Sequence, residues 1–332
     1  MPRIDALPTT ILPSRTHTVP AMKDGLTVQL TVGQLLDLVI GAAPGSLDTL
    51  DELAAALADD ANYAATVTAA LATKATTANL ALATPVFGSV KLSLSGGNLL
   101  LSRERGSKLT IGGVPVVVPQ AGVTLAPAGF TAGTLYYAYA AVVSGNVVLE
   151  GSTSAYAIDA TTGQALKSGD ASRTLVGMFR TIAGPVFSDT IKQRFVRSWF
   201  NDPGLKLLSS FSANRATTSV STVELNSEIR CEMLLWAGEK VDATLVGSAI
   251  NGATLGRNNS LIGVDGIGTV VSGTQSIMTS IDTVPFTAQT LQEGLSEGYH
   301  YVTMGASVNS GTGTWYGDSD GRRTNLKCDV SK

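Results

Sequence analysis

Histidine, cysteine and charge are scarce in this chain of 332 residues. It holds two histidines and two cysteines, charged side chains make up 15% and aromatics 6%. Each shortage excludes something. A serine–histidine–acid triad would have to use His300, because His17 lies in a proline-rich arm, and no Gly-x-Ser-x-Gly elbow supports it. No Gly-x-x-x-x-Gly-Lys-Ser/Thr phosphate loop occurs. Cys231 and Cys328 are too few for a disulfide framework and lack metal-ligand spacing. They read as buried free thiols or as one bridge tying the end of the chain to a strand near 231. The net charge is −3, and the nearest approach to a basic run is Arg322-Arg323, which argues against a nucleic-acid face. No run of about 18 apolar residues is present to cross a membrane, and the opening residues lack a signal-peptide core.

What is present is small and β-branched. Glycine numbers 35 and hydrophobic residues reach 44%. With few large anchors, this composition fits many short strands and packing between chains better than one large enzyme core.

Residues 45–75 hold a seven-residue pattern. One register gives Leu50, Leu57, Ala64 and Leu71; its companion gives Leu53, Asp60, Val67 and Lys74. Six of these eight positions are apolar, which makes a narrow helical seam of Leu50, Leu53, Leu57, Ala64, Val67 and Leu71. Such a seam buries nothing alone and needs partner helices, the simplest being copies of itself. Asp59-Asp60 can cap a second helix, so two short helices and one rod both fit.

The rest of the chain falls around this segment. Residues 1–25 read as an extended arm punctuated by Pro2, Pro8, Pro13 and Pro20. Leu26–Ile40 begins β-prone and turns helical, with Thr31 as N-cap. Leu92–Leu101 alternates around Gly96-Gly97-Asn98, a hairpin signal. Short strands are expected at Ile111–Val114 and Val116–Val118, a hairpin over 134–149 turning at Ser144-Gly145-Asn146, and strands at Arg173–Thr181 and within Phe187–Trp199. Asn201-Asp202-Pro203-Gly204 is a turn cluster and a boundary. Beyond it, strands are expected at Glu228–Ala237, Asp242–Ala249, Ser276–Val284, Gly298–Val308 and Asn325–Val330, with turns at Asn251-Gly252, Asn258-Asn259, Asp265-Gly266 and 318–321. This spacing predicts a sandwich of the jelly-roll kind.

Two blocks resemble a known family. Leu47-Asp48-Thr49-Leu50, Glu52 to Leu57, Asp59-Asp60, Asn62-Tyr63-Ala64, Val67-Thr68, Ala70-Leu71 and Lys74-Ala75 resemble a segment that recurs in tailed-bacteriophage fibre proteins. The family often has proline after the aspartate pair, where this chain has Ala61. Leu135 to Tyr139, Ser168 to Met178, Arg194-Phe195-Val196 and Ser198 to Asn201 resemble a module of phage structural proteins, set in trimeric fibres between a virion-proximal stalk and a distal domain. Gly311 to Trp315 is similar to the closing hairpin of distal fibre domains.

The resemblance implies an elongated, mainly β homotrimer with a short coiled-coil-like trimerisation segment. Residues 1–45 form a virion-attachment arm with a short helix that meets other virion proteins, 46–91 the helical segment, 92–201 a central β module and 202–332 the distal β-sandwich. It implies a structural, non-enzymatic virion protein, a receptor-binding tail fibre made in the bacterial cytoplasm and attached to the host surface through a glycan or protein. A head-decorating fibre is the first alternative and a polysaccharide-degrading tailspike the second. No catalytic residue, cofactor, metal or membrane insertion is expected. The distal receptor-contact candidates are Tyr299, Tyr301, Trp315, Tyr316, Arg322 and Arg323, aromatic faces beside hydrogen-bonding groups. Asp159, Asp170, Asp189 and Asp202 are acids that a sugar-cleaving pair would draw on. The glycines at 263, 266 and 268 read as a tight loop, and 318–321 as a turn rather than a calcium loop.

Overall fold

The computed structural model describes residues 12, 14–40, 62–74, 88–278, 282–317 and 321–332. Two compact units divide the chain, Met1–Ala81 and Leu82–Lys332.

In the first unit, β1 (Thr18–Lys23) and β2 (Leu26–Thr31) form an antiparallel hairpin. Its two-residue turn, Asp24-Gly25, takes positive φ at both positions, the geometry that matches strand twist. The last part of the expected unpaired arm is therefore a paired strand. Pro20 fits because a two-stranded ribbon offers an outward-facing donor position at no cost. Helix α1 (Val32–Ile40) follows directly. The Thr31 hydroxyl accepts from the Gln34 N–H at 3.1 Å, and Gln34 Oε1 accepts from the Thr31 N–H at 3.0 Å. Thr31 is thus the expected cap, within a reciprocal capping box. Helix α2 (Tyr63–Lys74) carries the end of the seam. Leu50, Leu53 and Leu57 lie outside the described residues.

The second unit is β throughout its described residues except for one 3-10 turn. Its first half holds β3 (Val90–Ser95), β4 (Asn98–Arg103), β5 (Lys108–Ile111), β6 (Val114–Val117), β7 (Val123–Leu125), β8 (Leu135–Val143), β9 (Asn146–Ser152), β10 (Tyr156–Ile158), β11 (Ala165–Lys167) and β12 (Asp170–Ile182). Four short strands follow, β13 (Val186–Phe187), β14 (Asp189–Thr190), β15 (Gln193–Arg194) and β16 (Val196–Ser198). The main sheet runs β10-β11-β12-β8-β9, with β13 and β16 also on β12; β3-β4-β7 and β5-β6 are smaller sheets. The β3–β4 and β8–β9 hairpins turn at Gly96-Gly97 and Ser144-Gly145, all at positive φ.

Both faces of the main sheet are covered, which explains the nearly unbroken apolar run of β8. Ala138 and Ala140 face Val90, Leu92, Leu99, Leu101 and Leu109. Tyr137 and Tyr139 face the other way, into a cluster with Leu234 and Trp236. On β12, Leu175 and Met178 share that second face although they are three apart. The register slip between Leu175 and Gly177 allows it, since a bulge adds one residue and resets the alternation. A Cβ on Gly177 would overlap the Arg197 carbonyl oxygen and Leu92, so only glycine lets β16 and β3 come this close.

The second half holds β17 (Leu205–Ser210), β18 (Arg215–Thr217), β19 (Val223–Glu224), β20 (Cys231–Leu235), β21 (Lys240–Asn251), β22 (Arg257–Val264), β23 (Val270–Ile277), β24 (Val284–Gln292), β25 (Gly298–Val308), β26 (Gly313–Trp315) and β27 (Asn325–Ser331). One sheet pairs β17-β27-β21-β24; the other pairs β20-β25-β22-β23. With the short β18, β19 and β26 set aside, these are strands first-eighth-third-sixth and second-seventh-fourth-fifth, the jelly-roll order. Inward-facing Leu207, Met233, Leu245, Ile262, Met304, Trp315 and Leu326 fill the space between the sheets. Cys231 and Cys328, one from each sheet, are buried free thiols within that core.

Four expectations are corrected. Ile111–Val114 is not a strand but the turn of the β5–β6 hairpin, with Gly112 and Gly113 at positive φ. Ser276–Val284 is not one strand: β23 ends at Ile277 and β24 begins at Val284. Asn258-Asn259 is not a turn but the start of β22, where the buried Asn258 donates to the Ile250 carbonyl at 3.0 Å and accepts from Asn251 at 2.9 Å. The strand expected from Glu228 opens instead with the 3-10 turn Ser227–Ile229, capped by Asn226.

Candidate functional site

The distal aromatic residues separate on folding. Trp315 is 0% exposed and its indole N–H donates to Ser260 Oγ at 2.7 Å. It is a core residue, which corrects its reading as a receptor contact: no ring face is open to a ligand. Tyr299 and Tyr301 are half-buried on the outer face of β25, with ring centroids 6.1 Å apart. The Arg180 guanidinium lies 4.0 Å from the Tyr299 ring and that of Arg230 4.2 Å from the Tyr301 ring. The Tyr299 hydroxyl donates to Glu232 at 2.5 Å. Burial and the Glu232 hydrogen bond hold that phenol well above its ordinary range. Arg230 donates twice to Glu224, each at 2.6 Å, and these bonds lower the Glu224 carboxyl. The outer face of β25 is thus a self-satisfied ladder of rings and cations.

Tyr316 and Arg322 belong to the side of the other sheet. Arg322 stacks 4.4 Å over the Tyr316 ring, and both side chains bond Thr283. Arg323 is exposed beside them in sequence. The six candidates therefore form no single patch. Residues 318–320, the heart of the aspartate-rich turn, lie outside the described residues. Among the described residues no three His, Cys, Asp or Glu side chains gather to hold a metal.

His300 does meet a serine and an acid. Its Nδ1 lies 2.7 Å from Asp265 Oδ2, and Ser296 Oγ is 3.4 Å from Nε2. The shorter contact of Nε2, however, is the Ser296 carbonyl at 2.8 Å. A carbonyl accepts a hydrogen, so the nitrogen that a triad needs as a base is turned to another task. The group instead ties the loop before β25 to the loop after β22.

The four acids singled out in sequence fall into two clefts. Asp159 and Asp170 line a shallow one of about 480 Å³. Their own Thr162 and Ser172 side chains bond them and lower their pKa values, as in capped turns. Asp189 and Asp202 line a deeper cleft of about 240 Å³ where β3, β14–β16 and β17 meet. Burial raises the Asp189 carboxyl above its ordinary value, against the pull of Arg194 at 3.4 Å. Asp202 accepts from Arg197 at 3.0 Å and from the Gly204 N–H at 2.8 Å.

Arg197 anchors this corner. It is 1% exposed and bonds Glu239, itself 2% exposed, at 2.6 and 2.9 Å, and donates to the Leu234 carbonyl at 2.6 Å. Burial works against its charge, but Glu239 and Asp202 outweigh it. Lys91 and Lys206 complete the cleft. The sequence signals for this cleft were the turn cluster at 201–204 and the acids Asp189 and Asp202.

No family model and no curated protein matches the chain. Among solved structures, similarity extends to a TNF of the Eiger type from S. frugiperda, at 7% identity over 38% of this chain and 93% of that one, with a TM-score of 0.23. An insecticidal delta-endotoxin of Bacillus thuringiensis gives 9% identity over 74% and 52%, TM-score 0.26. A protein of infectious bursal disease virus strain Gx gives 11% over 62% and 61%, TM-score 0.20. At these TM-scores the neighbours carry no argument about fold or role.

Proposed function

We propose that the chain is a structural virion protein of a tailed bacteriophage: a homotrimeric fibre that attaches to the particle through residues 1–45 and meets the host surface through its distal jelly roll. The resemblance over residues 47–75 and 135–201 is one support. The observation that carries the reading is the state of α2 in a single chain. Leu71 is 60% exposed, Ala64 is exposed and Val67 half-buried. An apolar seam left open in this way fits burial against two more copies of itself.

The test is imaging of intact virions that contain the chain, using antibody fragments raised against residues 202–332. Label at the distal ends of tail appendages is the expected result. Label around the head would replace the tail fibre with a head-decorating one. Particles without label would overturn the assignment. One observation favours a second reading, cleavage of host polysaccharide: Asp189 and Asp202 share a cleft, and burial raises the Asp189 carboxyl above its ordinary value. New reducing ends on incubation with capsule would mark it.

A further inference from the structure

We propose that the cleft between β3, β15–β16 and β17 is a subsite for an acidic sugar, a uronate whose carboxylate is held by Lys91 and Lys206. A count of its charges leads there. Five charged side chains line the cleft: Lys91, Asp189, Arg194, Asp202 and Lys206. Arg194 is committed to Asp189 at 3.4 Å and, through Nε and Nη2, to the Lys206 carbonyl at 3.3 Å each. Asp202 is committed to Arg197 and the Gly204 N–H. Asp329 faces Lys206 across the β17–β27 pair; its Oδ2 bonds Lys327 at 2.6 Å, and its buried Oδ1 meets no hydrogen-bond partner. That leaves Lys91 and Lys206 without an ion pair among the described residues, in a lining formed by three different stretches of chain.

The rest of the lining fixes the ligand class. No aromatic ring lines the cleft, so a neutral sugar would lose the stacking that usually supports it. Pro203 and Leu205 offer aliphatic surface for one face of a ring, while two lysines without a partner favour a negative group. Recognition therefore rests on charge, and it weakens with salt because lysine acts as a solvated point charge. The source of the ligand, an acidic glycan of the host surface, rests on the proposed function; the site itself does not.

The experiment titrates the full chain with tetragalacturonate and with neutral maltotetraose by calorimetry, at low salt and at high salt. The expected result is binding of the acidic tetramer alone, weakened by salt. Lys91→Gln with Lys206→Gln should reduce affinity at least about tenfold, a loss of about 1.4 kcal/mol. Lys240→Gln, at a half-buried lysine paired with Glu293 outside the cleft, should change nothing, and thermal unfolding should show all variants folded. No binding of the acidic tetramer, equal binding of the neutral one, or full affinity in the double variant would each overturn the site. Adhesion of wild type and double variant to host cells is measured in parallel. Adhesion by both with no uronate binding would overturn this subsite alone, whereas wild-type chain that adheres to no host cell would overturn the host-surface reading.

Discussion

The buried pair of Arg197 and Glu239 shows what a single residue can decide here. Every contact of the guanidinium is made inside the protein, and Glu239 also accepts from the Trp236 N–H at 2.8 Å. Removing Glu239 leaves the guanidinium, which burial has stripped of water, with Asp202 alone as its counter-charge at 3.0 Å. Glu239→Gln is therefore expected to cost about 3–5 kcal/mol, read from urea unfolding. Arg197→Met with Glu239→Leu should cost clearly less than the sum of its single variants, because neither member of the buried pair is then left facing the other's absence, and Asp202 keeps the Gly204 N–H. Equal and additive losses would show that the pair is not coupled. Nothing local announces this pair. Arg197 sits in an alternating run and Glu239 in a Gly-Glu turn, and both read as solvated side chains. Trp315 is hidden for the same reason: its position in a Gly-Thr-Gly-Thr-Trp turn is local, but its partner Ser260 belongs to a strand of the opposite sheet.

Elements were legible where their chemistry is local. Gly96-Gly97 and Ser144-Gly145 supply the positive φ that a two-residue hairpin demands. Thr31 supplies the oxygen that a helix start needs. Where tertiary pairing decides, the reading failed. Asn258-Asn259 looks like a turn until Asn251 and Ile250 satisfy Asn258 inside the sandwich, and Ser276–Val284 carries β-prone residues across a gap between two strands. Helix α2 has the opposite character, since its seam is plain in sequence and open in the single chain. Two measurements of Val67→Asp with Leu71→Asp decide its role. If the seam joins three chains, light scattering should show the mass fall from three copies towards one while the melting of the β unit stays in place. Leu53→Asp with Leu57→Asp should do the same. If the face meets only water, both pairs should change the mass not at all and stability by no more than about 0.5 kcal/mol.

At the scale of the whole β unit, the turn at 201–204 joins two halves that share a core. Tyr156 packs on Trp199 and Trp236, with ring centroids 5.1 and 6.3 Å away, and Trp199 meets Trp236 at 5.0 Å. Tyr137 and Tyr156 both donate to Glu297, at 2.7 and 2.9 Å, from the loop just before β25. Burial and Glu297 hold both phenols well above their ordinary range, so these donors keep their hydrogens at neutral pH. The aromatics of the first half were visible in sequence as Leu135 to Tyr139, yet their partners are Leu234, Trp236 and, 160 residues on from Tyr137, Glu297, beyond the reach of periodicity. The consequence is a statement about cooperativity. A shared core of this kind ties the two halves into one transition, because neither can unfold without exposing rings of the other. Calorimetry of the wild-type chain should therefore show one peak for the β unit. Trp236→Ala, which removes the central ring at a cost of about 3–5 kcal/mol, combined with Glu297→Ala, should split that peak in two. The jelly roll keeps its own core of Leu245, Met304 and Trp315, and the first half keeps that of Leu99, Leu101 and Phe179; each retains enough to melt separately. A single peak that only moves to lower temperature would mean that contacts at the Arg197 corner alone suffice to couple the halves.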